Sequence, residues 1–167
     1  MPRPPLTASI LRARGACAGN AQQFEDIYPD GVLLDAAVVL SLIQSNVNVW
    51  WALQLFDDFA CDEWMLDLAR VLSEQGTGFP QEEKAHLCID IYLNTDDRDD
   101  PKSIDLRRDF HFTEVQTDMT MGEFSAKAAC MSYAAALLRH SMGKPELLRQ
   151  CALLAKLITD SLERGAA

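Results

Sequence analysis

Apolar residues recur along this chain at the three-and-four spacing of amphipathic helices, and strict alternation occurs in one place only. In "ELLRQCALLAKLITDSLERG" the residues Leu147, Cys151, Leu154 and Ile158 form an unbroken apolar stripe. In "DEWMLDLARVL" the stripe is Met65, Leu68, Ala69 and Leu72. In "VWWALQLFDDFA" it is Trp50, Leu53 and Phe56 or Asp57. The exception is "FHFTEV" within "IDLRRDFHFTEVQ", which reads either as a short strand or as a helix carried by Ile104, Leu106 and Phe110.

Start and stop signals divide these stripes into elements. Thr7 caps a short first helix through Arg14, which Gly15 interrupts, and a second helix runs from Ala16 to Tyr28. "YPDG" closes it with a type I or type II turn. Asp35 caps "AAVVLSLIQSN", residues Asn46–Asn48 connect it to the tryptophan helix, and Asp62 caps the helix that ends at Gly76. Pro80, with Gln81, Glu82 and Glu83, opens a helix through "KAHLCIDIYL" that stops in the polar loop "NTDDRDDPKS". The capping box "TMGE", with Glu123 reaching back to Thr120, opens the longest helix, to about Met142; Gly143 ends it and Pro145 starts the last. These signals predict an all-α, compact bundle of seven or eight helices in one domain of residues 1–167. One short strand or hairpin near 108–116 is the variant, and residues 1–6 form a loosely ordered leader. The small residues of "AKAACMSYAAALL" let that helix approach its neighbours closely and suit it to a central place.

Composition leaves this picture unchanged: 49% hydrophobic and 24% charged residues describe an ordinary globular protein. No apolar run is long enough to span a bilayer, and the start lacks the apolar core of a signal peptide. Five scattered cysteines, Cys17, Cys61, Cys88, Cys130 and Cys151, point to reduced thiols and hence to a cytoplasmic protein.

Charge does alter the picture. The net charge is −10, and the segment from Leu55 to Asp100 carries all of it, with 13 acids against three bases. The remaining residues balance at 12 acids and 12 bases. Direct nucleic-acid binding is excluded, since the basic clusters Arg12/Arg14 and Arg107/Arg108 are too small to offset that field.

Few motifs in the chain carry chemistry. "TDDRDDPKSID" has alternating carboxylates but lacks the glycine and the final glutamate of a calcium loop. His86 and Cys88 point in different directions on a helix and have no second pair to complete a zinc site; His111 and His140 stand alone. There is no G-x-S-x-G, no glycine-rich phosphate loop and no pair of E-x-x-H motifs of the di-iron bundle type. The expectation is a protein that is not an enzyme and has no metal or cofactor. Trp50 and Trp51 project about 100° apart on a helix, so one of them belongs at a core edge or an interface.

The stretches "GACAGNAQQFEDIYPDGVLL", "NVWWALQL" and "DEWMLDLARVL", followed by "AKAACMSYAAALL" and "ELLRQCALLAKLI", resemble small alanine-rich helical proteins of bacteria and phages that are labelled immunity proteins. The order Cys17, Phe24, Trp51, Trp64 and then an alanine-rich helix is similar over most of the chain. The resemblance implies a small binding protein with no chemistry of its own.

Charge and resemblance together predict a phage- or mobile-element-encoded inhibitor or immunity-type protein that blocks a basic partner, such as a nuclease, as a nucleic-acid mimic does. The expected contacts are Asp57, Asp58, Asp62, Glu63 and Asp67, with Asp96, Asp97, Asp99 and Asp100 from the loop. The alternative is a helical adaptor or homodimer whose apolar helix surface forms the interface.

Overall fold

The computed structural model describes residues 2–74 and 126–166, with backbone alone for 126–130 and 166. Over these residues the protein is all-α. Six α-helices, α1 (Ala8–Ala13), α2 (Ala18–Ile27), α3 (Ala36–Gln44), α4 (Asp58–Glu74), α5 (Ala126–Met142) and α6 (Lys144–Ala166), are joined by a 3-10 helix at Val49–Leu55. The predicted elements from Pro80 to "TMGE", the 108–116 strand and the loop acids Asp96, Asp97, Asp99 and Asp100 lie outside the described residues. The chain groups into two compact units, residues Met1–Ala60 with Leu148–Ala167, and residues Cys61–Leu147.

In the first unit the caps do what their chemistry allows. Thr7 Oγ1 accepts from the Ile10 amide at 3.3 Å, and Asp35 Oδ1 from the Val38 amide at 2.8 Å. Each satisfies an amide that the first turn of a helix leaves without an internal partner. The Gly31 amide donates to the Tyr28 carbonyl at 3.0 Å, closing "YPDG". Asp30 keeps a negative φ, which makes this turn type I. Gly31 itself has φ +80°, and a Cβ there would meet the Leu6 carbonyl oxygen at 2.7 Å. Only glycine fits, because Leu6 and Val32 pair beside it through two backbone hydrogen bonds of 2.9 Å. Leu6, the last residue of the expected leader, is thus buried and held.

The tryptophan segment departs from expectation. It is a 3-10 helix, not an α-helix, and its buried residues are Val49, Trp51, Ala52, Leu53 and Leu55. With three residues per turn, Val49, Ala52 and Leu55 stack in one buried column; Trp51 is buried as well and Trp50 is half-buried. Its first end is pinned. The Asn20 side chain brackets the Asn48 backbone, accepting from its amide at 3.1 Å and donating to its carbonyl at 3.4 Å. Phe56 then leaves the helix in extended conformation. From α6, Cys151, Leu154 and Ile158 of the predicted stripe are buried, with Ala155 and Leu157 beside them.

In the second unit Met65, Leu68 and Leu72 of the predicted α4 stripe are buried, Ala69 is half-buried, and Trp64 beside them is buried too. Trp64 is fully covered and donates its indole N–H to the Met131 carbonyl of α5 at 3.3 Å. Met131 and residues 133–138 of α5 are all buried, consistent with a small-residue helix packed on more than one side. α5 ends as predicted, with Gly143 at φ +74° and its amide bonded to the Arg139 carbonyl at 2.8 Å.

Candidate functional site

Helix α4 and its capping residue carry five of the nine acids expected to contact a partner, and the structure gives them different roles. Asp57, not Asp62, caps this helix: its Oδ1 accepts from the Ala60 amide at 2.9 Å. The helix therefore begins one turn earlier than the expected Asp62 cap, and Asp62 lies one turn inside it, exposed. The Asp57 carboxylate also takes a fork from Arg164, from Nε to Oδ2 and from NH2 to Oδ1, the latter at 2.9 Å. The Ser161 hydroxyl adds a bond to Oδ1 at 3.3 Å and accepts from the Asp57 amide at 3.2 Å. These donors, Arg164 above all, hold the carboxyl down at a pKa of about 2, against the opposing effect of burial. Asp57 is therefore an internal anchor, with its charge answered by an arginine 107 positions later.

The other four acids lie along α4. Asp58 and Asp62 are exposed and one turn apart; Glu63 and Asp67, also one turn apart, are half-exposed. Asp67 accepts from Arg70 at 2.9 Å, and Arg70 reaches Glu74 at 2.8 Å, so charge at that end is partly offset within the helix.

At about 100° per residue, the Asp58/Asp62 row and the Glu63/Asp67 row lie on either side of a third row, Phe59 and Leu66. Phe59 is 68% exposed and Leu66 57% exposed. The spacing of buried stripes identifies the core face of α4 but gives no weight to these two residues. The available signal was Leu66 itself, an apolar residue one position off the Met65–Leu68–Leu72 stripe. One face of the Phe59 ring meets the Arg164 guanidinium at 5.2 Å from its centroid.

Among the described residues, no group of three or more His, Cys, Asp or Glu is placed to hold a metal ion. One cavity in the first unit, edged by Asn20 and Asn48 and lined by Phe24, Leu42, Trp51 and Ile158, encloses about 30 Å³. No described helix is long and apolar enough to cross a membrane. Cys61 and Cys151 are buried and not in disulfides, and Cys17 is exposed at the start of α2.

No family model, curated protein or solved structure matches this chain.

Proposed function

We propose that the protein is a non-enzymatic inhibitor or immunity-type protein, cytoplasmic and encoded by a phage or mobile element, that blocks a basic partner protein through α4. The observation that carries this reading is the pair of acid rows, Asp58/Asp62 and Glu63/Asp67, on the outer side of a helix whose inner side is fixed by Trp64, Met65, Leu68 and Leu72. Carboxylates on a rigid helix keep their spacing, so they meet Arg and Lys at little entropic cost. The net charge of −10 adds attraction at a distance and speeds encounter. Nucleic-acid mimicry is the limit of this reading in which charge alone does the binding.

Native affinity purification of the tagged chain, followed by mass spectrometry, tests it. The expected product is a basic protein that is retained by the wild-type chain and lost from an Asp58→Asn, Asp62→Asn, Glu63→Gln variant. Asp57 is left intact in that variant, because its removal would disturb folding as well as charge. Recovery of the same protein by both chains contradicts the reading.

A second reading, a helical adaptor or homodimer, is favoured by the exposure of Phe59 and Leu66. It predicts self-association that tightens with salt.

A further inference from the structure

Single exposed apolar residues are normal on protein surfaces. Phe59 and Leu66 differ from that background in their placement. They are seven positions apart on one helix, which brings them to the same side, about 10 Å apart along the axis. Acids stand on both sides of this row, Asp58 and Asp62 on one flank and Glu63 on the other. A surface that had only to repel nonspecific contacts, or to imitate phosphates, gains nothing from a phenylalanine 68% exposed at its centre.

We propose that this face of α4 receives a basic amphipathic helix of its partner, with Phe59 and Leu66 packing on its apolar side and Asp58, Asp62 and Glu63 meeting its Lys and Arg. The inference rests on the binding reading above and specifies the partner's chemistry. Helix-on-helix recognition uses apolar anchors one or two turns apart with charges at the rim. The spacing of Phe59 and Leu66 matches apolar residues two turns apart on the incoming helix. Rim carboxylates select a partner whose flanking residues are cationic and disfavour acidic helices of the same shape. The Arg164 guanidinium does not oppose this choice, since its charge is taken up by Asp57. It supports one face of the Phe59 ring and so holds the anchor in place.

The test uses the full chain and two synthetic peptides of equal length and charge, one of Lys and Leu patterned as an amphipathic helix and one of Lys and Ser. Titration calorimetry at moderate salt measures both against the wild type, Phe59→Ser/Leu66→Ser, and Asp58→Asn/Asp62→Asn/Glu63→Gln. Both sets of substitutions are on the surface, and circular dichroism checks that the helices are kept. The expected result is that the Lys/Leu peptide binds at least about tenfold more tightly than the Lys/Ser peptide. Each variant should weaken the Lys/Leu complex about tenfold or more.

Equal affinity for the two peptides, with only the acid variant impaired, overturns the apolar anchors and leaves the electrostatic reading standing. An apolar variant that loses binding beside an acid variant that keeps it overturns the basic occupant and the electrostatic reading together. No binding of either peptide overturns this inference. Concentration-dependent dimers that vanish in Phe59→Ser/Leu66→Ser would assign the face to a second copy of the chain and overturn it as well.

Discussion

Arg164, near the end of the last helix, grips Asp57, the residue that starts α4, with both arms of its guanidinium. The same carboxylate caps the Ala60 amide and meets Ser161, so one side chain sets where α4 begins and ties the end of α6 to it. One of the acids expected to meet a partner is thus committed to the fold.

Replacing Asp57 by Ala removes the cap and the ion pair together. Caps contribute about 1 kcal/mol and partly exposed ion pairs up to about 1 kcal/mol, so the expected loss is about 1–2 kcal/mol. Asp57→Asn keeps a capping oxygen and should lose less. Urea denaturation followed by circular dichroism gives both numbers. An Asp57→Ala chain as stable as the wild type removes the anchor role.

Stability should also depend on pH through this residue. The folded carboxyl titrates at about 2 and the ordinary aspartate at 3.8. Its contribution is complete above about pH 4 and is lost as the pH falls toward about 2. The half-exposed setting keeps the effect modest. In Asp57→Asn that part of the acid limb should disappear from a denaturation series between these pH values.

Gly31 and Gly143 provide a matched pair. Both have positive φ, but an added Cβ meets the Leu6 carbonyl at Gly31 and open space at Gly143. Gly143→Ala should cost about 1–2 kcal/mol for backbone conformation alone. Gly31→Ala should cost more, about 2–3 kcal/mol, because the Leu6–Val32 pairing must shift. Thermal melts that rank the two variants in the opposite order would contradict this account of the turn.

Trp64 joins α4 to α5 through full burial and a bond to the Met131 carbonyl. Trp64→Phe keeps most of the apolar volume and loses the donor, for about 1–2 kcal/mol. Trp64→Ala leaves a cavity as well, for about 3–5 kcal/mol. Denaturant midpoints distinguish the two.

Much of the local structure was legible because it is decided locally. Thr7 and Asp35 satisfy amides three residues away, "YPDG" contains its own turn, and the Cys151–Leu154–Ile158 stripe needs only helical spacing. The choice of Asp57 over Asp62 was not legible, since Arg164 and Ser161 come from the far end of the chain. The 3-10 winding of Val49–Leu55 was hidden for a similar reason: Asn20 holds one end from another helix, and the apolar spacing of that segment fits either winding. In the candidate site, the acids were visible as charge, while the apolar row between them emerged only once the buried face of α4 was known.

The central claim is that the outer face of α4 binds a basic partner. Its most direct test is the affinity of the co-purified partner for the wild-type chain and for the Asp58→Asn, Asp62→Asn, Glu63→Gln variant over a series of ionic strengths. The account predicts wild-type affinity that falls at least about tenfold from low to high salt, and a variant that is weak throughout with a flatter dependence. Superimposable curves for the two chains would contradict it.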